Sequence, residues 1–433
     1  MNNQLPTIPP CQTSTLPIGE YACLIGIDWG DTKHAIALSD RTNPSRVEKF
    51  MINSQPEQVH QWLRSLAARF QGAPVAVAIE TSKGPMIDLL LNYDWITIYP
   101  VHPATSRRYS KAFTPSGAAN DQPDADNLLE ILHVHRDRLR ALLPQDEQTR
   151  RLAALVGIRR RMVDARTKLS NELTSLLKSY FPQALLLIGE DLHSKLALDF
   201  LQRWPDLESL KKAKPQTLRQ FYHGHHVRCP EVIEERIKIT AQAQPLNTDR
   251  VLIETSTVLL DYLLGQLRAI EPRLVDVQKQ IDQAFLTHAD RAIFKSFPGA
   301  GAAMAPRLCV LFGLDRDRWH DAGELQKYYG VAPVIEASGK KRWLHWRWNA
   351  PVFQRQTLVE WAGVSVRFSS WAKAYYQKQR KLQKAHAAVL RALAFKWLRI
   401  LFRCWKDGKE YDEAEYIKRI KAKGSPLPSL ISA

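Results

Sequence analysis

Apolar and polar positions in the first third of the chain follow the pattern of a sheet flanked by helices. Residues 21–30 form a nearly continuous apolar run that ends at an acid and a glycine turn, and residues 35–38 return as its hairpin partner. Residues 75–79 and 95–99 are further buried strands, and residues 57–70 carry apolar side chains at helical spacing. Alternating strands and helices of this kind predict an α/β sheet with a site at its rim.

Two later segments keep helical spacing over lengths that exceed an ordinary globular helix. They cover residues 150–181 and 256–286, and their length favours a helical hairpin or a coiled coil. Prolines punctuate the stretch between them, which we interpret as a helical insertion. Residues 290–405 are again mainly helical in pattern and carry eight of the twelve tryptophans. That aromatic bulk predicts a core of its own.

The pattern divides the chain into five segments. We predict a disordered leader over residues 1–20, an α/β domain over 21–144, a helical coiled-coil segment with an insertion over 145–289, a mainly helical domain over 290–406 and a charged tail over 407–433.

The net charge of the chain indicates what kind of partner it binds. The chain has 61 Lys and Arg against 44 Asp and Glu, a formal net charge of +17 and a pI near 9.6. Such a balance favours a polyanion, nucleic acid above all, although ribosome-associated and membrane-surface proteins share it. No stretch holds eighteen apolar residues, the first twenty residues lack the pattern of a signal peptide, and the five cysteines have no disulfide or zinc spacing. We therefore expect a cytoplasmic protein with no membrane partner.

Four acids stand where a metal-dependent phosphodiester enzyme needs them. Asp28 ends the first strand, Glu80 ends the strand of residues 75–79, and Asp121 and Asp124 lie three apart at the start of a helix, on one face. Two-metal chemistry needs three or four carboxylates that converge on hard cations. Taken singly, an acid at a strand end is more often a turn or cap residue, and Asp121 or Asp124 could simply cap a helix.

Three acidic blocks resemble those of the DEDD transposases of bacterial insertion sequences. The blocks are GIDWGDTKHAIAL, VAIETS and SGAANDQPDADNLLEIL. The resemblance implies an RNase H-like domain similar to Holliday-junction resolvases, with Mg²⁺ or Mn²⁺ held by Asp28, Glu80, Asp121 and Asp124. Ala119 departs from the family, which usually has a lysine two residues before the third acid, and this bears on a phosphate or metal-shell contact.

A second block lies near the other end. Residues 294–313 place a Pro-Gly-x-Gly turn, with Gly299 and Gly301, between two helical stretches, as in a helix-hairpin-helix; an ordinary glycine turn is the alternative. The segment LQKYYGVAPVIEASGKKRWLHWRWNAP resembles the carboxy-terminal domain of the same transposases. In composition Ser338 is an ordinary loop serine, and the resemblance implies that it is a nucleophile. The residues predicted to contact nucleic acid are Gly299, Gly301, Gly339, Lys340, Lys341, Arg342 and Arg347.

Aromatic and basic residues follow the serine closely. Trp343, Trp346 and Trp348 alternate with basic positions, a pattern that fits base stacking and a half-buried strand equally well. Residues 370–405 form one amphipathic pattern, which predicts a single long helix with a basic outer face.

The resemblance implies a recombinase of a bacterial insertion sequence that forms a serine–DNA link. The implied partners are double-stranded DNA at the element ends and the target, a structured guide RNA encoded by the element, and further copies of the chain in a dimer or tetramer; the expected location is the bacterial cytoplasm, at the nucleoid. Two alternatives stay open at this point. One is a resolvase-like Mg²⁺-dependent nuclease that uses activated water, and the other is a noncatalytic nucleic-acid-binding scaffold.

Overall fold

The computed structural model describes residues 20–113, 121–142, 145–339, 341–348 and 350–427, with residues 429 and 431. At residues 113, 121 and 122 it describes the backbone alone. The chain forms two compact units, Met1–Pro144 and Gln145–Ala433, each with its own hydrophobic cores. Apart from Glu20, the predicted leader lies outside the described residues.

A five-stranded mixed sheet forms the centre of the first unit. Its strands are β1 (Cys23–Trp29), β2 (Lys33–Asp40), β3 (Val47–Asn53), β4 (Val75–Ile79) and β5 (Ile96–Pro100). Their order is β3-β2-β1-β4-β5, with β2 antiparallel to β1 and β3, and with β1, β4 and β5 parallel. The predicted α/β sheet is confirmed, and it is mixed. The sequence pattern does not predict β3, because this edge strand buries little of its surface.

Helices cover both faces of this sheet. They are α1 (Pro56–Arg69), α2 (Pro85–Leu90), α3 (Pro103–Phe113) and α4 (Asp121–His135). Branched side chains fill the face under α1 and α2, whereas α4 packs on a face made of small residues: Gly26, Ala35, Ala37, Ala76 and Ala78. Small side chains let a helix approach a sheet closely, so the composition of this face decides how near α4 can come.

Two long helices organise the second unit. They are α5 (Glu147–Tyr180) and α11 (Arg250–Leu286), with carboxylate caps from Asp146 and Asp249. The first turns of α5 share a core with the last turns of α11, and the last turns of α5 share another with the middle of α11. The helices therefore run antiparallel, as predicted for a helical hairpin.

The insertion between them is helical, as predicted. It consists of α6 (Ala184–Ile188), α7 (Lys195–Arg203), α8 (Leu207–Lys211), α9 (Pro215–Gly224) and α10 (Pro230–Gln242). Pro215 and Pro230 each occupy the first turn of a helix, where the missing N–H has no intrahelical partner to lose.

The rest of the second unit is helical except for one hairpin. Its elements are α12 (Arg291–Lys295), α13 (Met304–Phe312), α14 (Ala322–Tyr328), β6 (Val334–Ser338), β7 (Lys341–His345), α15 (Val352–Ser365), α16 (Ser370–Lys381), α17 (His386–Asp407) and α18 (Glu413–Ala422). Four fully buried tryptophans, Trp361, Trp371, Trp397 and Trp405, fill its core. The aromatic core expected from the sequence is present.

The single helix predicted for residues 370–405 is wrong, because the chain reverses between α16 and α17. Trp371 and Trp397 lie with their ring centroids 4.5 Å apart, whereas one straight helix would separate them by about 39 Å. Burial of both rings in one core thus overrides a continuous amphipathic pattern. Gln383 occupies the reversal with a φ of 57°.

Within the described ranges, no helix combines the length and apolar character that a membrane crossing requires.

Candidate active site

Asp28 and Glu80 lie at the carboxyl ends of two neighbouring parallel strands. Ile27 of β1 is opposite Ile79 of β4, so Asp28 and Glu80 are the next pair along these strands. Because side chains alternate along a strand, Asp28 shares its face with Gly26, and that face is the one covered by α4. The sheet therefore brings both acids to one edge.

A close helix contact brings the third carboxylate to this edge. A Cβ built on Gly26 would lie 2.1 Å from the carbonyl oxygen of Ala125 and 2.6 Å from the amide nitrogen of Leu129. The backbone of α4 thus rests directly on β1, and only glycine fits beneath it. Asp124 immediately precedes Ala125 and is half-buried, so the contact holds it near the end of β1.

The charges at this edge influence one another. Burial raises the pKa of Glu80 and the negative charge of Asp124 raises it further, whereas Arg107 and His102 act in the opposite direction. A divalent cation between two such carboxylates neutralises both. Carboxylate oxygens are ligands that Mg²⁺ and Mn²⁺ prefer, so the residues present fit a divalent metal.

The described side chains do not by themselves form a complete metal centre. Among them, no three His, Cys, Asp or Glu residues converge as metal ligands. Asp121, the fourth predicted ligand, begins α4 three residues before Asp124, but its side chain lies outside the described set, as does all of Ala119. The assembled set of four acids stays a prediction.

Two nearby acids have other surroundings. The carboxylate of Asp126 accepts a hydrogen bond of 2.5 Å from Lys49 Nζ of β3. Asp31 is exposed in the turn after β1. Asp126 is thus paired with a cation of the edge strand, and Asp31 faces solvent.

His102 and Arg107 were not singled out from the sequence. His102 follows β5 and Arg107 lies on α3, and both act electrostatically on Glu80. Because β5 is parallel to β4, its carboxyl end lies at the same edge of the sheet. The basic segment directly after a predicted strand was the available signal.

Ser338 lies at the tip of an exposed two-stranded hairpin. It ends β6 and pairs with Lys341 at the start of β7. Gly339 follows with a φ of 56°, and a Cβ built there would meet no described atom within 4 Å. Lys340 lies outside the described residues. The serine hydroxyl is therefore presented on an open turn, beside an ammonium group.

Alternation along the hairpin separates the predicted basic residues. Lys341 shares the face of Ser338, and Arg342 points to the opposite face. On the serine face, His345 Nε2 lies 3.1 Å from Glu336 Oε2, and both side chains are exposed. The face that carries the hydroxyl thus offers a cation, an acid and an imidazole.

The three tryptophans near the serine have two environments. Trp343 and Trp348 are 45% and 81% exposed. Trp346 instead contacts the guanidinium groups of Arg355 and Arg391, which lie 4.7 and 4.5 Å from its ring centroid. The half-buried strand considered from the sequence is not observed, because every residue of β7 is exposed. Two rings remain available for stacking, and the third holds the base of the hairpin.

Arg347 directly follows Trp346 at the base of the hairpin. Its carbonyl oxygen accepts a hydrogen bond of 2.8 Å from Arg355 Nη1, and its own buried Nε has no hydrogen-bond partner among the described residues. A predicted nucleic-acid contact at Arg347 would satisfy that donor.

The two glycines of the turn between α12 and α13 differ. Gly299 has a φ of 74°, and a Cβ there would lie 2.8 Å from Val364 Cγ1, so this position serves close packing. A Cβ on Gly301 would meet no described atom within 4 Å. Gly301 therefore leaves its backbone more accessible to a phosphate, and the helix-hairpin-helix assignment stays a prediction.

Transposase family models match both parts of the chain. A DEDD transposase family model of the IS110 type matches residues 25–182, and a model described as the transposase IS116/IS110/IS902 family matches residues 291–377. The mini-circle putative transposase for IS117 of Streptomyces coelicolor is 28% identical over 90% of this chain and 95% of its own length. A 43.6 kDa protein of insertion element IS110 from the same species is 25% identical over 91% and 96%. A 44.8 kDa protein of insertion element IS116 from Streptomyces clavuligerus is 23% identical over 90% and 96%.

Proposed function

Because the chain belongs to the IS110/IS116 family of insertion-sequence transposases, we propose that it cuts and rejoins DNA through a covalent serine–DNA intermediate. Two family models match two separate blocks of the chain, and each block contains one of the chemical groups that this reaction needs. We base the proposal on this observation. The block of residues 25–182 contains the acidic sheet edge, and the block of residues 291–377 contains the exposed serine hairpin.

The acidic edge acts as the metal-dependent part of the site. Asp28, Glu80 and Asp124, joined by Asp121, would hold Mg²⁺ or Mn²⁺. A bound divalent cation polarises a phosphate and stabilises the charge that develops on its oxygens. Arg107 adds positive charge beside Glu80, which helps to orient a phosphodiester at this edge.

The serine hairpin supplies the nucleophile. The Ser338 oxygen attacks the phosphorus of a DNA phosphodiester as its proton leaves to a base, the serine–phosphate bond forms, and the bond to one deoxyribose oxygen breaks. That oxygen takes up a proton and becomes a hydroxyl. Attack by a deoxyribose hydroxyl of another DNA end then restores the phosphodiester and frees Ser338. One ester replaces another at each step, so no external energy source is needed.

Lys341 beside Ser338 stabilises negative charge at the attacked phosphate. The exposed rings of Trp343 and Trp348 stack on bases, and Arg342 and Arg347 meet the backbone. Lys340 would add positive charge next to Gly339, and Gly301 admits a phosphate near α13.

The strand order of the first unit supports an RNase H-like assignment. Three antiparallel strands followed by two parallel ones, with acids at adjacent carboxyl ends, is the arrangement expected of a resolvase-like nuclease core. We include a structured guide RNA among the partners because of the family resemblance and the net charge of +17.

Self-assembly is supported by α11. Val251, Val258 and Tyr262 are 68%, 73% and 59% exposed and lie on one side of this helix. A second copy of the chain would cover them. Val258→Glu is expected to shift the mass measured by light scattering toward the monomer, and an unchanged mass would exclude this stripe from the interface.

The test of the proposed chemistry is a covalent adduct. The purified protein is incubated with Mg²⁺, DNA carrying the element ends and RNA transcribed from the flanks, and is then denatured and separated by electrophoresis. We expect a protein–DNA band that resists denaturant and disappears in Ser338→Ala. Ser175→Ala, an exposed serine on α5, is the matched control and retains the band.

Cleavage without an adduct would contradict the serine step and indicate the resolvase-like nuclease that uses water. Cleavage that continues in EDTA would contradict the metal-dependent step.

A further inference from the structure

A small cleft in the second unit gathers three arginines. Arg159 and Arg160 of α5 and Arg307 of α13 line it, together with Phe353 at the start of α15. Its volume is about 110 Å³, which suits one small polar group better than a whole nucleotide.

The positive charge of this cleft is only partly balanced. Among the described residues that line it, Glu360 is the single acid, and its carboxylate accepts a bond of 2.8 Å from Arg307 Nη2. Arg160 is paired with Asp164 on its own helix. The buried Nε of Arg159 has no hydrogen-bond partner among the described residues. A donor left in that state is unfavourable, and an anion in the cleft would satisfy it.

Two of the three guanidinium groups, those of Arg160 and Arg307, are held in place before any ligand arrives. Arg160 and Arg307 lie 5.4 and 5.0 Å from the ring centroid of Phe353, and Arg307 also donates to the hydroxyl of the fully buried Thr357. Burial and the neighbouring charges of Arg307 and Arg166 lower the pKa of Arg159, whereas the charge of Asp282 acts in the opposite direction. Like charges are thus crowded together in fixed positions, which resembles an anion site more than a structural ion pair.

We propose that the Arg159–Arg160–Arg307 cleft binds a single backbone phosphate of DNA. Arginine forks match the oxygens of a phosphate, and the cleft has the size for one such group. Ala303 also lines the cleft, which places it beside the predicted phosphate-binding turn that ends at Gly301. We choose DNA over RNA because family membership implies a DNA substrate. The inference rests on the DNA-binding part of the proposed function.

The test uses the full-length protein and a fluorescein-labelled DNA duplex of random sequence, since phosphate contacts carry no sequence information. Binding is measured by anisotropy over a range of salt concentrations. Arg159→Met is expected to weaken binding about tenfold and to make the logarithmic salt dependence shallower by about one. Arg159→Lys keeps the positive charge and loses the two-pronged guanidinium group. Its affinity for DNA is expected to lie between those of the parent protein and Arg159→Met. Arg161→Met is the matched control, because this exposed arginine lies on the same helix and should leave binding unchanged.

Thermal unfolding separates a binding role from a structural one. Without DNA, Arg159→Met is expected to unfold at the same or a higher temperature than the parent protein, because it removes a crowded charge and an unpaired donor. With DNA, its gain in unfolding temperature should be smaller than that of the parent. A lower unfolding temperature without DNA would overturn the proposal and assign Arg159 a packing role.

Three further results would overturn the inference in distinguishable ways. If the parent binds the duplex and Arg159→Met binds it equally well, the cleft is not a DNA site while the proposed function stands. If Arg159→Met loses binding of an RNA duplex and keeps that of DNA, the ligand is RNA. If the parent itself does not bind DNA, both the proposed function and this inference fail.

Discussion

The acidic edge of the first unit and the serine hairpin of the second are built in opposite ways. Asp28 lies near the end of β1, which is buried from Cys23 to Ile27, and Glu80 directly follows the buried strand β4. Helix α4 rests on β1 with no space for a side chain at Gly26. Ser338 stands on a hairpin in which every residue of the two strands except Val334 is exposed. The core of the domain fixes the positions of the acids, whereas the proposed nucleophile is held by one local turn and by Trp346 at its base. We infer that the acids are placed before DNA arrives, and that DNA or a partner subunit orients the serine.

The largest effect is expected from Glu80→Gln. If Glu80 holds the metal as proposed, its loss should lower the rate of DNA cleavage about a thousandfold or more. Because the pKa of Glu80 is raised by burial and by Asp124, the folded state disfavours its charged form, and neutral Gln should leave the unfolding temperature equal or higher. Cleavage rates and thermal unfolding are measured together.

Glu57→Gln on the exposed first turn of α1 is the control, with cleavage unchanged. A parallel fall in cleavage and in unfolding temperature for Glu80→Gln would mean that Glu80 serves the fold instead of the reaction.

Gly26→Ala is expected to disturb the acidic edge through packing. The new methyl group would meet the backbone of α4, so the first unit should lose about 3 kcal/mol or more of unfolding free energy, and Asp124 should move away from Asp28. Chemical denaturation and cleavage rate report the two effects. Gly157→Ala, at an open position of α5, should instead be neutral or slightly stabilising. Normal stability of Gly26→Ala would show that the helix does not rest on the strand.

Gly339→Ala makes the same chemical change at the serine hairpin and should have a much smaller effect on stability. Its methyl group meets no described atom, and the left-handed φ penalises the hairpin locally by about 1 kcal/mol. Global unfolding should not change, because an exposed hairpin opens on its own. Adduct formation should slow several-fold. A large fall in global stability would contradict the contrast drawn between the two regions.

Trp343→Ala should affect stability least, by about 0.5 kcal/mol or less, since the ring is half exposed. If the ring stacks on a base, affinity for single-stranded DNA falls by about 1–3 kcal/mol. Titration of both proteins with a labelled oligonucleotide measures this difference. Equal affinities would leave Trp343 without a role in binding.

The sequence predicted the parts of the molecule that depend on local alternation. The buried strands, the acids at their ends, the long helix pair and the aromatic core follow from apolar spacing along the chain. The exposed edge strand β3 carries little of that spacing. The break before His386 depends on the contact between Trp371 and Trp397, and the cleft at Arg159 depends on helices far apart in sequence. Long-range packing of this kind leaves no periodic signal.

The alternation of side chains along the serine hairpin limits how this gene can vary. Ser338 and Lys341 are paired across the hairpin and therefore share one face. Side chains alternate between the two faces along each strand, so a shift by one residue moves a side chain to the opposite face. Insertion or deletion of one codon between Val334 and Ser338 would turn the hydroxyl to the other face, whereas a change of two codons would shift the tip and preserve its orientation. Natural copies of the element should therefore tolerate length changes in this hairpin in pairs of codons, and single-codon changes should mark copies that no longer move.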